Sequence, residues 1–362
     1  MTEHENRAEA VPVHGPAREG TPPPVAPAAE PTAPPATAAE PRDAPAARHT
    51  APSGPAGDSR PPTLGPPAHS GAKPPLYPSV PQGRPWVSDG NAAASIVPDT
   101  VLDGASHGAL TVRAASVRGD AHRYLGEPRQ DSTAVAFVGE PATGRLMVLA
   151  VADGVGSQRL SHVGSTQACR IAVWTLALHA GEVHDALAAG REDRFAEVAE
   201  QTVERVATRL LHRAQKSDTD PLAYSTTLRV LLVPLDPEVR ARGLITVGDG
   251  GTALLRDGTW DLAPGGAARE SGDGVIDTRT AALPATRTAS ARLLTTRPGD
   301  VLVLSTDGLS TPLAGEPSMR EFLGAAWSGG APEPADFLWQ FQYRVKSYDD
   351  DRTAAVLWEA RT

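Results

Sequence analysis

Isolated aspartates recur at the ends of apolar runs in this chain. Asp131 stands just before a β-branched run, in Arg129–Gln130–Asp131–Ser132, and Asp153 closes Val148–Leu149–Ala150–Val151–Ala152 with Gly154 next. Asp307 follows Val301–Leu302–Val303–Leu304–Ser305–Thr306 in the same way, again with glycine after it. Asp249 ends Val247–Gly248–Asp249–Gly250, and Asp349–Asp350–Asp351 precedes the last apolar run. One Asp–Gly after a strand is ordinary turn chemistry. Several strands ending in the same acid suggest more, since turns would use Asn as readily and glycine lets backbone approach an ion. Hard divalent cations take oxygen ligands, and Mg²⁺ or Mn²⁺ sites combine a few carboxylates with water. A sandwich that brought these strand ends together would build such a centre.

The elements that must do this are legible from periodicity. Residues 133–138 and 145–152 are two β-branched, apolar runs across a turn-rich GEPATG, which predicts a hairpin. Helical spacing predicts one helix over 161–180 and a second over 191–214, the latter with Phe195, Val198, Val203, Val206, Leu210 and Leu211 on one face. Strand-like runs follow at 225–233, 243–247, 252–256 and 301–305, and 263–297 reads as loop-heavy. Two short helices (318–326 and 335–345) precede a final strand at 353–358. Strands do not alternate one-for-one with helices, so the pattern predicts an α+β protein of antiparallel sheets covered by helices.

Composition divides the chain. Of its 362 residues 35 are proline, and 22 of those prolines lie in residues 1–85, a stretch with one aromatic residue (Tyr77) and two leucines (Leu64, Leu76). So little apolar surface cannot offset the entropy of ordering the chain, and a disordered Pro/Ala-rich tail is expected there. Residues 86–362 are then a single domain with a real core. The chain carries a net charge of −9. That excess runs opposite to the basic face of a nucleic-acid binder. The single cysteine, Cys169, excludes a disulfide framework or a multi-cysteine metal site and reads as a packed core thiol. No apolar run approaches the ~20 residues of a membrane helix. The N-terminus lacks a secretion signal, and a cytoplasmic location without membrane partners is expected.

The blocks Arg129–Gln130–Asp131–Ser132, Val151–Ala152–Asp153–Gly154–Val155–Gly156–Ser157, Ser225–Thr226–Thr227–Leu228, Val247–Gly248–Asp249–Gly250, Ser305–Thr306–Asp307–Gly308–Leu309 and Asp350–Asp351–Arg352–Thr353 occur in a characteristic order. Together they resemble the metal-dependent PP2C-type (PPM) protein phosphatases, most of all the bacterial branch, over residues 114–358. The resemblance implies an αββα sandwich of two antiparallel sheets flanked by helices. It implies two Mn²⁺ or Mg²⁺ ions and no organic cofactor, with Asp131, Asp153, Asp307, Asp350 and the Gly154 carbonyl as ligands. Asp153 matches the bridging acid and Asp249 an acid of a weaker third site. The implied reaction is hydrolysis of phosphoserine or phosphothreonine by a metal-bridging water held by Asp131, Asp153 and Asp307, with no nucleophilic side chain. The substrate would be a phosphoprotein, made by a bacterial Ser/Thr kinase.

Departures from the family pattern are equally visible. Asp351 replaces the usual Asn after the last metal acid. Gly126 stands where an arginine often holds the substrate phosphate, leaving Arg123 and Arg129 as candidates for that contact. Val155 replaces the histidine of a DGHG block, with His122 and His162 nearby in sequence, and Thr311 replaces the remaining acid of the third site. The alternative these departures leave is a phosphatase-like regulatory or binding module with little or no catalysis.

Overall fold

Two antiparallel sheets carry the acids. The computed structural model describes residues 67–71, 96–156, 158–265, 281–345 and 347–361, all within one unit spanning 64–362. In chain order the strands are β1 (Thr100–His107), β2 (Leu110–Val117), β3 (Ser132–Glu140), β4 (Gly144–Ala152), β5 (Leu228–Pro234), β6 (Ala241–Val247), β7 (Gly251–Arg256), β8 (Thr259–Asp261), β9 (Ser290–Thr295), β10 (Val301–Ser305) and β11 (Arg352–Glu359). One sheet has the order β1-β2-β11-β10-β7-β8 and the other β3-β4-β5-β6-β9.

The helices are α1 (Asp120–Leu125), α2 (Ser161–Leu178), α3 (Ala180–Ala188), α4 (Glu192–Lys216), α5 (Asp307–Gly315), α6 (Pro317–Trp327) and α7 (Pro334–Phe341). Side-chain alternation shows how the layers stack. Along β4, Leu146, Val148 and Ala150 join the cluster under α2–α4, while Met147, Leu149 and Val151 face the other sheet. Along β10, Leu302 and Leu304 meet them from across the gap, and Val301 and Val303 pack under α5–α7. Strands buried on both faces become continuous apolar runs, as their sequences are. The result is helices, sheet, sheet, helices: the expected αββα sandwich.

Several parts differ from the sequence expectation: β1, β2, β8, α1 and α5 lie where the sequence predicts no element, β9 lies in the stretch 263–297 that reads as loop-heavy, and α7 ends at Phe341 and not at 345. The helix expected over 161–180 ends at Leu178, and α3 follows as a separate helix beyond His179. The edge strands β1 and β9 were not legible; β1 has no buried residue and β9 only one, so neither shows a clean alternation. Finally, part of the proline-rich stretch is placed against the sandwich. Ala68 packs on the α5–α7 cluster, and His69 forms an isolated parallel bridge with Arg344. The rest of the expected tail lies outside the described residues, as do residues 266–280. Among the described residues no helix is long and apolar enough to cross a membrane.

Candidate metal centre

Strand register brings the acids together. Ser132 pairs with Ala152, so Asp131 and Asp153 stand opposite each other one residue beyond that rung. Ser305 pairs with Gly251, which sets Asp307 and Asp249 two residues beyond a rung of the second sheet. Asp350 arrives on the segment leading into β11, whose neighbour is β10. Asp307 also opens α5, where an acid is favoured by the helix dipole.

Backbone and hydroxyl groups fix these acids in place. Thr226 and Thr227 bracket Asp153: the Thr227 N–H and the Thr226 hydroxyl both donate to its carbonyl, at 2.8 Å each, and the Asp153 N–H donates to Thr227 Oγ1 at 3.0 Å. Thr306 Oγ1 donates to Asp131 Oδ2 at 2.8 Å. The Ser–Thr–Thr and Ser–Thr–Asp blocks thus serve to position carboxylates. Two glycines admit the 349–351 segment, because a Cβ on Gly119 or on Gly308 would collide with the backbone of Asp349–Asp351.

The acids repel one another and resist ionisation. Burial, with the charges of Asp153 and Asp351, raises Asp131 well above the usual carboxylate range. Burial and Asp307 push Asp153 up to about 7, and burial with Asp249 and Asp350 pushes Asp307 to about 6. Asp350 is raised as well, by partial loss of water and by Asp351. Among the described residues no arginine or lysine forms an ion pair with Asp131, Asp153 or Asp307. Asp153 and Asp307, with no cationic partner among the described residues, together with Asp131 and Asp350 offer carboxylate oxygens of the kind hard divalent ions take. The residues present therefore fit the implied ions.

Asp351 behaves differently from Asp350. It is 2% exposed and accepts from the N–H of Gly119 at 2.7 Å, the N–H of Gln130 at 2.5 Å and His122 Nδ1 at 2.8 Å. Burial would raise it, but His122 and these N–H groups hold it below the usual range, and the same contact raises His122. Among the described residues the group whose ligand atoms all lie within 4.8 Å of one another is His122, Asp350 and Asp351, with His122 Nδ1 4.0 Å from Asp350 Oδ1; of the expected ligands it includes Asp350 and not Asp131, Asp153 or Asp307. With its amide oriented to satisfy its neighbours, Gln130 donates to the carbonyls of Gly154 and Gly156 at 2.9 Å and accepts from His122 Nε2 at 3.3 Å. The Gly154 carbonyl keeps a second lone pair for an ion.

The remaining candidates fall into place more simply. Arg129 is buried and donates to Ser116 Oγ at 2.6 Å, to the Asp131 carbonyl and to the Pro98 carbonyl, so its guanidinium serves the scaffold and not a phosphate. Arg123 pairs with Asp120 at 2.8 Å and Asp99 at 3.2 Å, on the wall of a cavity that also touches Asp350. His162 is buried and Thr311 is exposed on α5. Cys169 is buried beside Ser132, and burial pushes its thiol up to about 12, as expected of a core residue. Sequence reading misses Arg229, which donates to the carbonyls of Asp249 at 3.0 Å and Gly248 at 3.3 Å and so holds the turn carrying Asp249.

The chain is thus an αββα sandwich with aspartates at strand ends of both sheets. The family model described as protein phosphatase 2C matches residues 118–338, and the chain belongs to that family. Solved structures are similar to the chain over most of their own length. The S. agalactiae serine/threonine phosphatase is 15% identical, with 69% of this chain and 99% of that one covered at a TM-score of 0.45. The Mycobacterium tuberculosis phosphatase PstP/Ppp is 20% identical, with 70% and 99% covered at 0.46. A PstP catalytic domain solved with two manganese ions is 21% identical, with 68% and 97% covered at 0.44. No curated protein matches the chain.

Proposed function

We propose that the chain is a Mn²⁺- or Mg²⁺-dependent protein phosphatase hydrolysing phosphoserine and phosphothreonine, with residues 86–362 as its catalytic domain. The observation that carries this is the strand register that sets Asp131 opposite Asp153 and Asp249 opposite Asp307, with Asp350 on the segment entering β11, in a chain that matches the protein phosphatase 2C family over residues 118–338. These four and the Gly154 carbonyl would hold two ions, with Asp249 available to a third. Such ions would supply a nucleophilic water at neutral pH and offset the charge of the transferring phosphoryl group. The protein's own part is positional. Asp351, Gln130 and His122 lock the loops bearing Asp131, Gly154 and Asp350 to one another, and Thr306 and Thr227 hold Asp131 and Asp153. Arg123, beside Asp350, is the remaining candidate for a phosphate contact. A phosphoprotein made by a bacterial Ser/Thr kinase in the cytoplasm is the substrate that suits this reading.

The test is turnover of p-nitrophenyl phosphate and of a phosphoserine peptide, with Mn²⁺, with EDTA, and in Asp153→Ala and Asp307→Ala. Loss of activity in EDTA and in both variants is expected. Turnover that survives EDTA and Asp153→Ala would reject the metal mechanism. No turnover in any condition would point to a regulatory module.

A further inference from the structure

Five residues of the proline-rich stretch lie beside the metal edge. The Arg344 N–H donates to the Ala68 carbonyl at 2.8 Å, and the Ser70 N–H donates back to the Arg344 carbonyl at 3.0 Å. Ser70 Oγ lies 2.8 Å from Ser318 Oγ and donates to Tyr343 Oη at 3.3 Å. Ala68 adds apolar contact with the α5–α7 cluster. Pro67 lines a cavity of about 110 Å³ whose other walls include Arg123, Arg344, Asp349 and Asp350. The segment is therefore an extended strap, held by backbone pairing, across a hollow that ends at a candidate metal acid.

Backbone pairing of this kind reads an extended shape and tolerates many sequences. A phosphorylated side chain presented to Asp131, Asp153, Asp307 and Asp350 would carry its flanking backbone over the surface next to Asp350. Arg344 lines the same cavity as Asp350 and offers an N–H and a carbonyl to an extended chain, and the strap already uses both. We infer that Tyr343–Val345 is the docking edge for the peptide flanking the phosphoserine, and that Pro67–Gly71 is a built-in competitor for it. This rests on the phosphatase reading above. A small aryl phosphate has no flanking backbone and does not compete.

Two measurements on the full-length chain test the inference. Amide hydrogen exchange at Arg344 reports docking without any turnover: slow exchange in the wild type and fast exchange in Ser70→Pro, which lacks the N–H bonded to Arg344, are expected. Ser70→Ala keeps that N–H and serves as the control. Ser70→Pro should lower KM for a phosphoserine peptide about fivefold, the worth of one or two net hydrogen bonds, and leave KM for p-nitrophenyl phosphate unchanged. A synthetic peptide of residues 64–73 should restore the higher KM. Fast exchange at Arg344 in the wild type overturns docking. Equal KM changes for both substrates, or none for the peptide, overturn competition. Should no substrate turn over, the phosphatase reading falls, and competition is judged by anisotropy of a labelled phosphoserine peptide. Tighter binding to Ser70→Pro sustains it, and equal binding overturns it.

Discussion

Asp351 Oδ1 lies 2.8 Å from His122 Nδ1, across 229 residues of chain, and the same carboxylate takes the N–H groups of Gly119 and Gln130. One buried acid thus ties the α1 segment, the loop before β3 and the entry to β11 into a single frame. Replacing Asp351 with alanine leaves buried N–H groups without an acceptor, which costs ~1–3 kcal/mol for one such group. Asp351→Ala should lower unfolding stability by at least that amount in urea titrations, and Asp351→Asn, which keeps an acceptor, by less.

The same pair sets a pH window. His122 is raised above 6.5 in the folded protein, so its share of stability is complete below pH 6.5 and fades as pH rises through the higher folded value. Asp351 is lowered below 3.8, so its share is complete above pH 3.8 and is lost as pH falls through the lower folded value. In EDTA, the destabilisation caused by His122→Ala should therefore be largest between about pH 4 and 6.5 and shrink toward pH 9. A pH-independent difference would contradict the pairing.

Metal-free protein should respond to acid in the opposite sense from most carboxylate-rich proteins. Asp153 and Asp307 have folded values near 7 and 6, above the ordinary 3.8, so the folded state binds their protons more tightly than the unfolded chain. Their contribution is fully present below pH 3.8 and lost as pH rises through 6 to 7. The melting temperature in EDTA should rise between pH 8 and pH 5. At pH 8, Mn²⁺ at about 100 times its Kd should add ~2.7 kcal/mol, and Asp153→Asn should raise the EDTA midpoint while removing that gain.

Gly308 faces the Asp351 carbonyl so closely that a methyl group has no room. Gly308→Ala must displace the 349–351 segment, at a cost of ~1–3 kcal/mol. Because that segment carries Asp350, Mn²⁺ affinity by calorimetry should fall more than in a surface glycine control such as Gly258→Ala, which has open space around it.

Val155 stands where related enzymes carry a histidine, and a general acid is worth ~10²–10⁴-fold. An alkoxide leaves poorly without a proton, whereas an aryl oxide leaves well. The ratio of aryl phosphate to phosphoserine peptide turnover should exceed that of a DGHG-containing relative measured side by side. Equal ratios would mean that another proton donor serves the leaving group.

Local signals carried much of this architecture. The β3–β4 hairpin and α4 follow from apolar runs at strand and helix spacing, and the strand-end acids could be picked out because each borders an apolar run, Asp131 and Asp350 before one and Asp153, Asp249 and Asp307 after one. Where signals are not local, sequence reading fails. β1 and β9 are edge strands with little burial to pattern them, and Asp351 meets His122 only through the packing of distant segments. Arg129 read as a phosphate contact because sequence shows its charge and not the Ser116, Pro98 and Asp131 acceptors that surround it. The proline content of residues 1–85 hid the strap at Arg344, since backbone pairing leaves no compositional trace.

The register of the strands has a consequence for assembly. Asp131 and Asp153 meet as soon as one local hairpin closes, but Asp249 and Asp307 meet only once β7 and β10, some 50 residues apart, have paired. Asp350 completes the set only when β11 joins its neighbours. A divalent ion thus has little to grip in a half-built chain and a full set of oxygens only in the finished one. If the proposed ions bind, their affinity would be a gauge of correct strand alignment, because a one-residue slip in either sheet would separate the paired aspartates.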